Sequence, residues 1–162
     1  KSLLLDGEDD YLRLPTGIAD SDELTIAAWV YLEGNVQWQR VFDFGNDESE
    51  YFFLTTCSNE GKLRLAAMNH GDEQRLDAPM PPDSRWSHLA VTLGEGRAVI
   101  YMNGKRVASS NAWSVKPPDF KPLFNYIGKS QFTADPTFRG KIGDFRVYNH
   151  VLSPDQIAEL AK

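Results

Sequence analysis

The segment Leu24–Glu33, which reads LTIAAWVYLE, decides the fold class. Aliphatic residues occupy every second position from Leu24 to Leu32, and the positions between them include Trp29 and Tyr31. A period of two residues is typical of a β-strand, and large side chains on both faces indicate a strand that lies between two layers. The segment therefore predicts the central strand of a layered β-protein.

Runs of similar spacing flank this segment on both sides. They predict further strands at Ser2–Asp6, Tyr11–Leu14, Trp38–Gly45, Tyr51–Cys57, Lys62–Asn69, Trp86–Leu93, Arg97–Met102, Lys105–Ser109, Leu123–Gly128 and Arg139–Tyr148. Asn103-Gly104 is the strongest hairpin signal, because both residues tolerate the positive φ of a type I′ turn. Two stretches rich in proline, 78–85 and 110–122, are predicted to be loops. Many strands joined by short turns indicate an all-β, two-sheet antiparallel sandwich or jelly roll.

One helix is predicted, and it lies at the end of the chain. Ser153-Pro154-Asp155-Gln156 supplies a capping residue, proline at the first helical position and glutamine three residues after the cap. This order is typical of a capping box at a helix N-terminus. Ile157 and Leu160 would then face the sheet. The sequence therefore predicts a jelly roll with a short C-terminal helix.

Composition narrows the class of protein. The 162 residues hold 17 basic and 23 acidic side chains, for a net charge of −6. This balance argues against nucleic acid and anionic membranes as partners, and no apolar run approaches the ~18 residues of a membrane span. The single cysteine, Cys57, excludes an internal disulfide. We expect one domain over 1–162, excised from a longer multidomain protein, because Lys1 leads directly into an apolar run.

The sequence does not predict an enzyme. Sandwich-fold glucanases carry alternating carboxylates on one strand, and the nearest approach here is Glu48-Ser49-Glu50, which falls in a polar turn. A general acid needs burial that such a turn does not supply. His70, His88 and His150 lack the spacing of a metal site.

Two tryptophans are candidate carbohydrate-binding residues. Trp113 lies in a proline-rich loop between short polar residues, so an exposed ring could stack on a sugar. Equally, Trp113 could pin the loop onto the sandwich. Trp38 begins a predicted strand next to Asn35 and Gln37 and is the second candidate, with packing at the strand end as the alternative.

An acidic N-terminal segment suggests a metal site. Residues 1–23 contain seven acids and two bases, and clustered oxygen donors suit Ca²⁺. Asp6 ends the first strand and Asp144 lies on the last, and since terminal strands commonly pair in sandwiches the two carboxylates could meet. The alternative is a set of solvated turn acids whose repulsion is screened by salt.

Several segments together resemble a known family. They are Ser2–Gly7 followed by Asp10-Tyr11-Leu12, then Leu24–Val30, Trp38–Gly45, Trp86–Thr92, Tyr101–Lys105, Asn125–Ser130 and Phe138–Asn149. In their order and spacing they are similar to laminin-G-like, concanavalin A-like jelly-roll domains, of the type appended to secreted bacterial glycoside hydrolases. The resemblance covers nearly the whole chain.

The resemblance implies a non-catalytic carbohydrate-binding accessory module of a secreted polysaccharide-degrading protein, with an extracytoplasmic location. Its partners would be a polysaccharide or glycan and a neighbouring catalytic domain in the same chain. The alternative is a structural or protein-interaction domain that packs against the catalytic domain without sugar affinity. Related domains often hold structural Ca²⁺ near the sandwich rim, which favours Asp6 and Asp144 as ligands. The last strand departs from the family pattern, because Gly143 replaces the first of two usual acids.

Overall fold

Twelve strands form two antiparallel sheets in the computed structural model, which describes residues 1–162. The strands are β1 (Ser2–Asp6), β2 (Leu12–Leu14), β3 (Leu24–Leu32), β4 (Arg40–Asp47), β5 (Glu50–Thr55), β6 (Leu63–Asn69), β7 (Gln74–Ala78), β8 (Trp86–Gly94), β9 (Arg97–Met102), β10 (Lys105–Ser110), β11 (Phe124–Ile127) and β12 (Arg139–Tyr148). The first sheet has the order β1-β12-β3-β8-β9-β10, and the second has the order β2-β11-β4-β5-β6-β7. The predicted jelly-roll sandwich is confirmed.

The core lies between the sheets because each strand alternates apolar side chains inward. On β3, Leu24, Ile26, Ala28, Val30 and Leu32 belong to a core cluster of 26 buried residues. The strand has β12 on one side and β8 on the other, as predicted for a central strand. At ~25 cal/mol per Å² of apolar surface, this shared core supplies most of the driving force for folding.

The hairpin between β9 and β10 forms as predicted. Asn103 and Gly104 have φ values of 51° and 77°, and Met102 pairs with Lys105 across the turn. A Cβ atom at Gly104 would lie 3.1 Å from the Cα of Ala158, so glycine also lets the C-terminal helix approach the turn.

Strand β7 was not predicted from the sequence. The β7 strand pairs with β6 at the edge of the second sheet, with Ala78 opposite Leu63. Gln74, Arg75 and Asp77 make this run mostly polar, so its period of two is weak. The predicted loops are otherwise confirmed, with a single 3-10 turn at Pro117–Asp119.

Helix α1 (Pro154–Leu160) begins at the predicted capping box. The backbone N–H of Gln156 donates to Ser153 Oγ at 3.2 Å, and the backbone N–H of Ser153 donates to Gln156 Oε1 at 2.9 Å. Ile157 and Leu152 pack against a small cluster on the outer face of the first sheet, formed by Ala27, Ala90, Val99 and Tyr101. The helix therefore covers part of that face, while no helix covers the outer face of the second sheet. The chain has no helix with the length and apolar composition that a bilayer crossing requires.

Candidate functional site

A cleft of about 440 Å³ lies on the outer face of the second sheet. We call it the aromatic cleft. Its lining combines aromatic rings with charged groups: Trp38, Arg40, Glu48, Tyr51, Phe53, Met68, Glu73, Arg75, Phe132 and Asp135. Its volume falls within the ~300–1,000 Å³ typical of ligand pockets.

The alternation of β5 places two rings in this cleft. Phe52 and Leu54 point into the core, so Tyr51 and Phe53 lie on the opposite face. These two rings stack with their centroids 5.2 Å apart, and Phe132 meets Tyr51 edge-on at 5.4 Å. Aromatic pairs at such distances add stability beyond simple burial. The result is a fixed aromatic surface outside the main core.

Trp38 forms one wall of the cleft in an uncommon backbone conformation. Its φ is 68°, and its backbone N–H donates to the carbonyl oxygen of Cys57 at 2.7 Å. The carbonyl oxygen of Trp38 in turn accepts a hydrogen bond from Arg40 Nη1 at 2.6 Å. A non-glycine residue at positive φ is uncommon, so these bonds hold the residue in place. The half-buried ring packs on the Tyr51–Phe53 cluster and also borders the open cleft.

Arg40 forms the floor of the cleft, with its side chain 1% exposed. Its guanidinium lies 3.7 Å from the centre of the Phe53 ring and pairs with Asp43 at 3.2 Å and Asp135 at 2.9 Å. Burial raises the pKa of Asp43 to about 6, against the opposing effect of Arg40. Asp43 Oδ1 is buried without a hydrogen-bond partner. Since a buried guanidinium needs compensating charge, the carboxylates of Asp43 and Asp135 hold Arg40 in place at the floor of the cleft.

The rim of the cleft holds Glu73 and Arg75, which form an ion pair. The hydroxyl of Tyr51 donates to Glu73 Oε2. Burial, with the Glu73 carboxylate, raises the pKa of Tyr51, so that this side chain remains a neutral phenol. Among the charged lining residues, three acids face two arginines, which leaves no excess of positive charge.

Two of the carboxylates that line the cleft are engaged by arginine side chains. Asp135 pairs with Arg40 and Glu73 pairs with Arg75. Asp43 has a raised pKa, but its side chain is 0% exposed and lies beneath Arg40, out of reach of a substrate. The aromatic faces and fixed polar groups of the cleft are therefore suited to holding a ligand.

Trp113 lies in the core, and its predicted exposure is wrong. The side chain is 3% exposed and belongs to the large core cluster. Its Nε1–H donates to the carbonyl oxygen of Val115 at 2.7 Å. Gln74 Oε1 accepts the backbone N–H groups of Ser114 and Val115, each at 2.9 Å, so β7 draws the loop inward. Trp113 therefore pins the loop onto the sandwich, which is the alternative to sugar stacking that the sequence left open.

Asp6 and Asp144 do not meet, although their strands pair as expected. Asp6 lies opposite Arg139, and at the other end of β1 Ser2 lies opposite Gly143. The two carboxylates thus sit at opposite ends of the β1–β12 pair. Asp144 lies in a bulge with φ of 47° and pairs with Arg146 at 2.8 Å. The predicted joint metal site is wrong for this pair.

A different group of acids lies around Asp6. The carboxylate oxygens of Asp6, Asp9 and Asp10 lie within 4.8 Å of one another, and all three residues are exposed. We call this group the acidic turn. Asp6 Oδ1 accepts the backbone N–H groups of Glu8 at 2.9 Å and Asp9 at 3.3 Å, and the bond from Glu8 does most to lower the pKa of Asp6. Hard carboxylate oxygens of this kind match the ligand preference of Ca²⁺.

Most residues of the aromatic cleft were not singled out from the sequence. Tyr51 and Phe53 carried a usable signal, since they occupy outward positions of a strand that also has large inward residues. Phe132 and Asp135 lie in an irregular segment after β11 and carried none. Only the fold brings Asp135 to Arg40, 95 positions away in the chain.

The order of the strands in the two antiparallel sheets defines a jelly-roll β-sandwich. The sequence model of the concanavalin A-like lectin/glucanases superfamily, in its laminin G form, matches residues 6–158. The chain belongs to this superfamily. No curated protein sequence matches it.

Solved structures share the fold at low sequence identity. Domain 4 of AbnA, a GH43 extracellular arabinanase from Geobacillus stearothermophilus, in complex with arabinotriose, is 23% identical with a TM-score of 0.83, over 99% of this chain and 76% of that one. The CBM40 of a Ruminococcus gnavus IT-sialidase, bound to α2,3-sialyllactose, is 18% identical with a TM-score of 0.77, over 95% and 97%. A SAP-like pentraxin from Limulus polyphemus is 14% identical with a TM-score of 0.72, over 99% and 81%. These likenesses establish the fold alone.

Proposed function

We propose that this domain is a non-catalytic carbohydrate-binding accessory module of a secreted polysaccharide-degrading protein, and that the aromatic cleft binds the glycan. The observation that carries the proposal is a preformed cleft in which Trp38 and Phe132 border a fixed aromatic and charged floor. Fold alone does not define function in this superfamily, so the proposal depends on the chemistry of the site.

The chemistry of the cleft suits a sugar. Aromatic rings offer apolar faces that match the C–H faces of a pyranose or furanose, as Trp and Tyr do at other amphipathic surfaces. Arg75, Glu73 and Asp135 supply donors and acceptors for hydroxyl groups at the rim and wall. Because these groups are held by ion pairs, little side-chain entropy is lost when a ligand binds.

The charge of the cleft favours an uncharged glycan. Its lining has three acids against two arginines, and Arg40 is already committed to Asp43 and Asp135. An acidic sugar would meet no surplus cation there. The similar structures bind both kinds of sugar, since the arabinanase domain holds neutral arabinotriose and the sialidase CBM40 holds acidic sialyllactose, so the preference rests on the charge of this cleft. The proposed partners are therefore a neutral polysaccharide and a catalytic domain in the same protein.

A glycan array tests the proposal, with the domain as wild type, Trp38→Ala and Trp86→Ala. Trp86 is a matched control, because it is an exposed tryptophan on β8 of the other sheet. We expect selective binding of neutral glycans, lost in Trp38→Ala and kept in Trp86→Ala. Absence of binding by the folded wild type would favour the structural or protein-interaction role instead.

We propose that the structural Ca²⁺ predicted from the sequence binds at the acidic turn and that Asp144 is not one of its ligands. Asp6, Asp9 and Asp10 would hold the ion, which would supply positive charge among three exposed carboxylates. We expect added Ca²⁺ to raise Tm and excess chelator to reverse the change, while Asp9→Asn with Asp10→Asn removes the response. Equal Tm values with Ca²⁺ and chelator would reduce the cluster to solvated turn acids.

A further inference from the structure

A second cavity, of about 540 Å³, lies on the outer face of the first sheet beside helix α1. We call it the arginine groove. The residues that matter for its chemistry are Thr92, Arg97, Tyr101, Arg106, Ser153 and Gln156. It is separate from the aromatic cleft, because the two open on opposite faces of the sandwich.

The electrostatics of this groove are unusual for a chain with a net charge of −6. Arg97 and Arg106 both line it, and no Asp or Glu does. The arginine ion pairs of this protein are made by Arg40, Arg64, Arg75 and Arg146, so both groove guanidiniums lack a carboxylate partner. An unpaired guanidinium offers a planar set of donors that matches a carboxylate.

Two hydroxyl groups on buried residues add a second, independent observation. Thr92 is 3% exposed and Tyr101 is 5% exposed, yet both line the groove and neither hydroxyl forms a hydrogen bond within the chain. Neither hydroxyl oxygen is itself buried, so each is open to a ligand in the groove. On the helix side, Gln156 uses its Oε1 to cap the helix, which leaves its amide N–H donors free. The groove thus offers unused donors and acceptors along its floor and wall.

The spacing of the two arginines suits an extended ligand. Arg106 lies opposite Tyr101, and Tyr101 is four residues from Arg97 along β9. At about 3.4 Å per residue, these backbone positions are about 14 Å apart. A ligand with repeated carboxylates can therefore meet one guanidinium at each end while its hydroxyls meet Thr92, Tyr101 and Gln156.

We propose that the arginine groove is a second glycan-binding site, which takes a short stretch of acidic, uronic acid-containing polysaccharide. The two guanidiniums favour a ligand with carboxylates. The hydroxyl and amide groups beside them suit the hydroxyls of a sugar, and Val99, Val151 and Leu152 offer apolar surface to its C–H faces. The charge preference is opposite to that of the aromatic cleft, so the domain would hold neutral and acidic glycans on opposite faces.

Isothermal titration calorimetry tests this, at about 0.15 M salt, where long-range attraction is screened beyond ~8 Å. The probes are α-1,4-linked trigalacturonate and α-1,4-linked galactotriose, which differ only in their carboxylates. We expect Kd to be at least about tenfold lower for trigalacturonate. Equal affinity for the two trimers, or no binding of the acidic trimer, would overturn the proposal.

Variants then locate the binding. Arg97→Gln with Arg106→Gln should raise Kd for trigalacturonate at least about tenfold, and Tyr101→Phe about threefold. Trp38→Ala should leave that Kd unchanged, which separates this site from the aromatic cleft whether or not the cleft binds sugar. Both arginines are exposed, so unchanged Tm confirms that the double variant is folded.

Two results would contradict the assignment. One is acidic glycan binding that persists in the arginine double variant or disappears in Trp38→Ala. The other is a tetraglutamate peptide that binds as tightly as trigalacturonate, which would make the groove a general carboxylate or peptide site.

Discussion

The outer faces of the two sheets differ in the size of their side chains. On the first sheet, Ala27 and Ala90 leave room for Ile157 and Leu152, so the C-terminal helix docks there. On the second sheet, the large rings of Tyr51 and Phe53 occupy the corresponding space on the outer face. Small residues thus allow a helix to cover a sheet, while large rings leave a rigid surface that remains open to a ligand. The position of the candidate site follows from this difference.

The largest expected effect lies in the core that both sheets share. Trp113→Ala removes an indole that is 3% exposed, and we expect it to lower the free energy of unfolding by about 3–5 kcal/mol. Urea denaturation measures this value. A loss below about 1 kcal/mol would contradict the core assignment, since exposed substitutions usually cost less than that.

The covered face is tested by Ile157→Ala. Ile157 is fully buried against the first sheet, so its truncation should cost about 2–4 kcal/mol and loosen the helix. Glycan binding in the aromatic cleft should remain unchanged at temperatures where the variant is folded. A loss of cleft binding in the folded variant would show that the two faces are coupled rather than independent.

The open face is tested by Trp38→Ala, whose main effect should be on binding. We expect a loss of about 2 kcal/mol in glycan binding free energy, the scale of an aromatic anchor, or roughly 30-fold in Kd. The free energy of unfolding should fall by less than about 1.5 kcal/mol, because the ring is half-buried. Binding unchanged by the substitution would remove Trp38 from the site.

The last test concerns the pH response of the cleft floor. The pKa of Asp43 is about 6 in the folded protein and near 3.8 when exposed, so the folded state holds this proton more tightly. Its contribution to the free energy of unfolding therefore falls as pH rises from about 4 to about 6, by at most about 1.4 kcal/mol per pH unit.

Asp43→Asn removes this titration while keeping the size of the side chain. Urea denaturation across that pH range should show the stability of the wild type falling relative to the variant as pH rises. Parallel pH profiles for the two proteins would contradict a raised pKa at Asp43.

Local sequence signals predicted most of the fold. The period of two in Leu24–Leu32, the Asn103-Gly104 turn and the Ser153 capping box each act over a few residues, and each is confirmed. The β7 strand was missed because an edge strand needs few apolar residues. Local chemistry was sufficient wherever the structure depends on neighbours in sequence.

The site depends on tertiary packing, and the predictions of an exposed Trp113 and of a joint Asp6–Asp144 site were wrong. Whether Trp113 is exposed depends on the bonds from Gln74, which lies 40 positions before Ser114 in the chain. Whether Asp6 meets Asp144 depends on the register of β1 against β12, which no turn between them fixes. Trp38 does line a cleft, but only the fold supplies the rings of Tyr51, Phe53 and Phe132 beside it.

The central claim is that the open face of the second sheet is the glycan-binding face. The most direct measurement is an NMR titration of the tryptophan indole N–H signals with a neutral oligosaccharide, beginning with arabinotriose and the best array ligand. Trp38 reports on the aromatic cleft, Trp29 and Trp86 on the first sheet and Trp113 on the core. We expect the Trp38 signal to shift with saturation while the other three stay fixed. A ligand that saturates the domain and moves Trp86 but leaves Trp38 unchanged would contradict the claim.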